Sequence, residues 1–234
     1  MPVRARTVAG LAGASAAGGL LLLALVVTGW PPLRRADHAL SDALHRAAHA
    51  EPGWTRASRV MTDWVWDPVT MRLLAAAAVL VLLARGARRP AGWVATAVLG
   101  GAAVQYGLKA AVGRARPEFP DPVDSASYHA FPSGHVMTAT IVCAVLLALV
   151  LPRLPHGGPW RTAAWALALV SVVGVGLTRA HLGVHWPTDV AAGWLFGTAV
   201  AAVSALPFRP WLRRRPGAHP EIPAQAPMRL RTDV

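Results

Sequence analysis

The sequence predicts an all-α fold: a bundle of six transmembrane helices, with an interfacial amphipathic helix between spans 1 and 2. Three observations carry this. Of 234 residues, 54% are hydrophobic and 15% charged, with a mean hydropathy of +0.41, well below the roughly 25% charge of soluble domains. Apolar stretches of about 20 residues, enough to cross a hydrocarbon core of ~30 Å, recur along the chain. None alternates with the period of a barrel strand, and lipid leaves only helices or closed barrels to satisfy the backbone. One domain is expected over residues 1–208, followed by a basic, Pro-rich cytoplasmic tail at 209–234 that is too polar to pack and is expected to be disordered.

The first span is placed at Val8–Thr28. Arg4 and Arg6 precede the Leu-rich run Leu20–Val27, as in a signal peptide. The apolar region instead continues to Trp30-Pro31-Pro32 with no small-x-small cleavage site, so a retained span is expected. Leu33–Ala50 then has Leu33, Ala36, Leu40, Ala43, Leu44 and Ala47 at helical spacing among charged residues, the pattern of a helix lying on the outer surface. Glu51-Pro52-Gly53 is read as its end, and Trp54, Trp64 and Trp66 as an aromatic belt. His45 and His49, four apart, have no clear third ligand and are read as a solvated face rather than a metal site. The later spans are placed at Val69–Ala84, Ala91–Val112, Gly134–Leu151, Thr162–Leu177 and Pro187–Leu206, joined by short or Pro/Gly-bearing connections.

The net charge of +12 raises the possibility of nucleic-acid binding, and its distribution argues against it. With both termini cytoplasmic, the inner segments hold thirteen arginines against Glu221 and Asp233, whereas the outer segments are close to neutral. That is the positive-inside asymmetry, so the charge orients the protein and suits anionic lipid, not DNA. The single cysteine, Cys143, lies in an apolar stretch and reads as a small buried hydrophobe; no Cys pair exists for a structural zinc site.

Four span ends carry polar residues, and the alternation of spans puts all four outside. Lys109 is the only lysine among 23 basic residues. A compact ammonium and a planar guanidinium are not interchangeable around a phosphate. Arg116 follows seven residues later, two helical turns, and would share a face with Lys109 if the helix persisted; Arg114 lies off that face and is read as a belt or loop residue. Pro132-Ser133-Gly134-His135 opens an apolar run, with Ser133 as N-cap and Gly134 allowing an anion close to the first N–H groups of a helix. Thr178-Arg179 ends a span. His185 and Asp189, four apart across Pro187, suit a carboxylate that reaches back to hold an imidazole tautomer. Tyr128, His129 and His181 lack such a partner and are read as lining residues at best.

In order and spacing these clusters resemble the type 2 phosphatidic acid phosphatase superfamily, in its integral-membrane branch. Its signature is Lys-x6-Arg-Pro, Pro-Ser-Gly-His and Ser-Arg-x5-His-x3-Asp. The chain has Lys109-x6-Arg116-Pro117, Pro132–His135 intact, and Thr178-Arg179-x5-His185-x3-Asp189, departing only in Thr178, which keeps a hydroxyl. The resemblance implies His185 as the nucleophile that forms a phosphohistidine, Asp189 as its orienting group, and His135 as general acid and then base. It implies Lys109, Arg116, Ser133, the Gly134 backbone and Arg179 as the phosphate cradle, with no metal and no cofactor. The expected activity is hydrolysis of a lipid phosphate or diphosphate at the extracytoplasmic face. Undecaprenyl diphosphate is the first choice, because it arises outside and must be recycled. Phosphatidylglycerol phosphate, phosphatidic acid and diacylglycerol diphosphate offer the same head chemistry, and a phosphotransferase could use the same histidine.

Overall fold

The computed structural model describes residues 5–208, all helix and connection with no strand among them. The helices are α1 (Ala5–Val27), α2 (Pro31–Ala50), α3 (Pro52–Val60), α4 (Pro68–Ala84), α5 (Arg88–Val112), α6 (Gly134–Val150), α7 (Pro159–His181) and α8 (Pro187–Ala205). A π turn at Met61–Val65 links α3 to α4, and a 3-10 turn at Leu151–Arg153 extends α6. Residues 209–234, where a disordered tail is expected, lie outside the described residues.

Proline sets many of the boundaries. It stands in the first turn of α2, α3, α4, α7 and α8, where its missing N–H costs nothing and its φ is already helical. Asp67 caps α4, accepting from the N–H of Val69 at 2.7 Å and of Thr70 at 3.2 Å. Five segments are long and apolar enough to cross a membrane: Arg6–Val27, Pro52–Ala84, Gly134–Arg153, Pro159–His181 and Pro187–Ala205. α5 has the length, 25 residues, but Arg88, Arg89, Gln105, Lys109 and several glycines dilute its hydropathy.

α6 is the centre of the bundle, packed by α4, α5, α7 and α8, while α1 lies outside against α8. Close approach rests on small residues, as membrane interfaces require where no hydrophobic effect drives association. A Cβ on Gly193 would meet Val136 Cβ at 2.9 Å and the Ser133 carbonyl at 3.0 Å; one on Gly197 would meet Thr140 Cβ at 2.8 Å. α8 therefore lies almost backbone to backbone on α6. The core between them holds Phe131, Val136, Met137, Val190 and Phe196.

Three sequence expectations need correcting. Pro52 begins helix α3 instead of simply ending the previous one, and α3, the π turn and α4 form one long apolar unit. Trp66 is not in a belt: it is 8% exposed and packs where a Cβ on Gly174 of α7 would be 2.6 Å away. Helix α5 stops at Val112 because Gly113 takes a left-handed φ of 60°, so Lys109 and Arg116 do not share a helical face. The face of α2 that packs on the protein is polar, made of Asp37, Ser41 and His45 with Ala48. Leu40 on its apolar side is exposed. Among the charges of α2 only Asp37 points inward, where Arg114 and Thr188 meet it, while Arg34, Arg35, Asp42 and Arg46 stay exposed.

Candidate active site

The C-terminal ends of α5 and α7 and the N-terminal ends of α6 and α8 meet at one end of the bundle, and the three sequence clusters close into one site there. Backbone bonds join them. The Ser133 N–H donates to the Asp189 carbonyl at 3.0 Å, fixing the Pro-Ser-Gly-His turn to the start of α8. The Ala130 N–H donates to the Arg114 carbonyl at 2.8 Å, and the Trp186 indole N–H to the Ala115 carbonyl at 2.9 Å.

His185 is buried at the middle of this site. Its Nε2 lies 3.2 Å from Arg116 Nη1, and its Nδ1 lies 3.5 Å from Asp189 Oδ2. A guanidinium can only donate, so Nε2 is the accepting nitrogen and the ring proton is assigned to Nδ1, facing the carboxylate. The Nδ1 separation is loose, as is common before substrate tightens a site. Burial, then the positive charges of Arg116, Arg179 and Lys109, hold the His185 imidazole well below its ordinary range. The ring is thus neutral at pH 7, with a lone pair on the nitrogen beside Arg116. Arg116 is itself fixed: Nε donates to the Tyr128 carbonyl at 2.9 Å, Nη2 to the Ser127 carbonyl at 2.8 Å, and Nη1 to the Val184 carbonyl.

Asp189 is fully buried, and its second partner is Arg114, which sequence reading left as a belt or loop residue. Arg114 Nη1 donates to Asp189 Oδ1 at 2.6 Å and to Thr188 Oγ1 at 2.7 Å. Its Nη2 donates to Asp37 Oδ2 at 2.7 Å. Asp37 in turn accepts from the Thr188 N–H at 3.1 Å and hydroxyl at 2.6 Å. Asp189 Oδ2 accepts from the Trp186 N–H at 2.9 Å. One cation between two buried carboxylates, each with further donors, is the kind of fully satisfied network that holds a side chain in one orientation.

The remaining polar residues gather around the ring. Lys109 Nζ donates to the His129 carbonyl. Arg179 lies 3.4 Å from Thr62 Oγ1 and 3.9 Å from Asp124. Half-buried His135 lies within electrostatic reach of Arg179, His185, Arg116 and Lys109. Ser133 stands in the cap position of α6 but makes no cap bond. Its Oγ and Arg179 Nε are buried with no partner among the described residues. Buried orphans of this kind cost energy unless a ligand satisfies them, and these two sit among three cations. A Cβ on Gly134 would meet the Gln105 amide at 2.6 Å, so a larger residue there would require the Gln105 side chain to move. Together these donors can hold a tetrahedral oxyanion against a neutral imidazole, the arrangement needed for attack on phosphorus.

All eight sequence-derived site residues therefore meet in one region. Those missed are Arg114, Asp37, Thr188, Thr62 and Asp124. The available signal was the stripe Asp37, Ser41, His45 at four-residue spacing, too polar for a membrane-facing surface. Among the lining residues, Tyr128 and His129 contribute carbonyls to Arg116 and Lys109. His181 is structural, its Nε2 3.1 Å from Thr55 Oγ1. His45 is buried instead of solvated, whereas His49 stays exposed; both meet Asp121 of the loop after Pro117.

The fold matches a crystal structure of a transmembrane PAP2-type phosphatidylglycerolphosphate phosphatase from Bacillus subtilis, with a TM-score of 0.75 over 87% of this chain and 98% of that one. At 24% identity this establishes the fold alone. In sequence, the chain is 38% identical over 90 residues to phosphatidylglycerophosphatase B of Bacillus subtilis and 36% identical over 85 residues to undecaprenyl-diphosphatase of Sulfolobus acidocaldarius. These matches take in 38% and 36% of this chain, and span only 44% and 34% of those proteins. It is also 29% identical over 176 residues to decaprenylphosphoryl-5-phosphoribose phosphatase of Mycobacterium tuberculosis, covering 72% of this chain and 89% of that one. The family model described as PAP2 superfamily matches residues 90–212, the stretch that holds every cluster of the site, and the chain belongs to that superfamily.

Proposed function

We propose that the protein hydrolyses a lipid phosphate or diphosphate at the extracytoplasmic face of the cell membrane through a phosphohistidine on His185. The observation that carries this reading is the His185 ring, buried and neutral, with Nε2 3.2 Å from Arg116 and Nδ1 facing Asp189. In the proposed reaction Nε2 attacks phosphorus while Lys109, Arg116, Arg179, Ser133 Oγ and the Gly134 N–H take up charge on the phosphoryl oxygens. His135 protonates the departing oxygen, and the phosphorus–oxygen bond to the leaving group breaks. His135 then removes a proton from water, which attacks the phosphohistidine, releasing inorganic phosphate and restoring the ring. Asp189 stabilises the charge that His185 acquires when it is phosphorylated.

Six membrane crossings accommodate this reading, with α5 counted despite its diluted hydropathy and α2 lying at the outer interface. In this reading the basic inner segments favour both termini in the cytoplasm and the site outside. The outward site suits an amphiphile whose head reaches Arg116 while its tail stays in lipid. Undecaprenyl diphosphate is the preferred substrate. Two of the relatives, by their names, act on polyprenyl-linked substrates, which favours a long prenyl tail. Phosphatidylglycerol phosphate and phosphatidic acid present the same head, and transfer to an alcohol instead of water would use the same phosphohistidine.

The test is phosphate release in detergent from undecaprenyl diphosphate, phosphatidylglycerol phosphate and phosphatidic acid, with EDTA present. Release from at least one lipid is expected, lost in His185→Ala, with acid-labile phosphate trapped on the wild-type chain. Turnover that survives His185→Ala would refute the mechanism. Product appearing on an added alcohol rather than as free phosphate would establish the transferase reading.

A further inference from the structure

A second polar cluster stands outside the phosphate pocket. His45 and His49 are one turn apart on α2 and project from the same face. Asp121, from the loop that begins at Gly113, comes between them. Its Oδ1 is 3.1 Å from His45 Nε2 and its Oδ2 3.3 Å from His49 Nε2. The His49 nitrogen is also 3.1 Å from the Asp121 carbonyl. One ligand atom from each residue lies within 4.8 Å of the others. The two rings meet edge to face, centroids 4.6 Å apart at 79°, and Phe119 stacks on His45 at 3.9 Å, fixing that ring.

We propose that His45, His49 and Asp121 form a binding site for a divalent transition-metal ion of the zinc class, which clamps the loop bearing Arg116 to α2. Two imidazoles and one carboxylate, with a fourth position left to water, are a donor set that suits zinc. Magnesium and calcium would require more oxygen ligands than one aspartate provides. Metal–ligand bonds of about 2.0–2.2 Å at tetrahedral angles set ligand atoms roughly 3.3–3.6 Å apart. The observed 3.1 and 3.3 Å, to the two separate carboxylate oxygens, are close to that spacing, and with one atom per residue all three ligand atoms lie within 4.8 Å. His49 and Asp121 are exposed, with side chains 44% and 68% accessible, so they can make the small adjustment.

In the metal-free protein each ring donates its Nε2 proton to Asp121. Binding moves that proton to Nδ1 and gives the Nε2 lone pair to the ion. Nδ1 of His45 is buried without a partner among the described residues, so this shift carries a cost that weakens binding. The clamp acts on the site's surroundings rather than on its chemistry. α2 also carries Asp37, which holds Arg114, and the loop carries Arg116. Between them runs a groove of about 310 Å³ lined by His38, Asp42, Arg116, Glu118 and Trp186, whose width the ion would fix.

The experiment uses the full-length, tag-free chain in detergent, stripped with EDTA and titrated with zinc sulfate. Calorimetry and elemental analysis should give one zinc ion per chain, with a raised Tm and a tetrahedral ligand-field band when cobalt replaces zinc. His49→Ala and Asp121→Asn, both at exposed positions, should each weaken binding by at least about tenfold and remove the Tm shift. Unchanged binding in both variants, or none in the wild type, would overturn the proposal. Phosphate release by the stripped protein is measured separately. Its loss would count against metal-free hydrolysis and not against the clamp, whereas failure to bind zinc would leave the phosphatase reading untouched.

Discussion

Arg114→Lys tests the part of the site that sequence reading passed over. Arg114 bridges Asp189 at 2.6 Å and Asp37 at 2.7 Å with separate nitrogens. A lysine ammonium keeps the charge but cannot reach two carboxylates and Thr188 from one planar fork. Asp189 would keep the Trp186 N–H and lose one charge-assisted bond, worth about 1.5–3 kcal/mol. If that loss is felt where His185 becomes charged, 1.4 kcal/mol per factor of ten makes it a ~10–150-fold fall in kcat. KM should change little, because Arg114 does not face the phosphate hollow. Removing the carboxylate itself, in Asp189→Asn, should cost more, on the order of the 10⁴-fold seen when a triad aspartate is neutralised. Arg114→Ala is a poorer probe, since stranding two buried carboxylates should cost about 3–5 kcal/mol of stability and confound the reading. The assay is steady-state phosphate release in detergent, with phosphoenzyme formation followed after a single turnover and Tm as a folding control. Wild-type kcat in a folded Arg114→Lys protein would refute the view that this network positions Asp189.

Three further outcomes are expected. The unfolded chain takes up a proton at His185 near pH 6.5 and the folded one only well below it, so stability is full above that pH and declines as pH falls, by up to about 1.4 kcal/mol per unit; His185→Asn should flatten the fall of Tm between about pH 6.5 and 5, and parallel curves would contradict this. Gly193→Ala forces a methyl against Val136 and the Ser133 carbonyl and should cost about 1–3 kcal/mol with reduced turnover, whereas Gly100→Ala, with open space around it, should be near neutral by thermal unfolding. Tyr128 is 85% exposed at a φ of 66° and meets Arg116 only through its carbonyl, so Tyr128→Gly should keep kcat within about twofold and not lower Tm.

The helices behind the expected spans, five of them apolar enough to cross a membrane, and the gathering of the eight site residues were legible because each leaves a local mark. Uninterrupted apolar length marks a membrane helix, and the spacing of Lys109, Arg116, His135, His185 and Asp189 marks the chemistry. What escaped depends on contacts distant in the chain. Asp37 and Arg114 are 77 residues apart, and nothing local to either says that they meet. The helical stripe of α2 was visible, but its direction was not. Asp37 and His45 read as the wet side of an interfacial helix because their partners come from the loop after α5 and the start of α8. Trp66 was misplaced for a related reason. Tryptophan near a span end favours the headgroup zone, and only the absence of a side chain at Gly174, more than a hundred residues later, makes room for it inside.

The polar face of α2 also bears on how this end of the bundle is built. A helix lying at an interface normally turns its apolar side down and its charges to water. Here Asp37, Ser41 and His45 face the protein, and the apolar side with Leu40 is left uncovered. That orientation costs nothing if lipid meets the apolar side while the buried acid meets Arg114. α2 would then act as a beam along the rim, polar toward the active site and apolar toward the acyl chains. Its polar contacts with the site segment are Asp37 to Arg114 and the histidine pair to Asp121, on either side of Ser41. Both fall on the segment between α5 and α6 that presents Arg116 to His185. The position of α2 and the position of Arg116 beside His185 are therefore coupled, so variants on α2 that never touch substrate should change kcat in proportion to how far they loosen that segment.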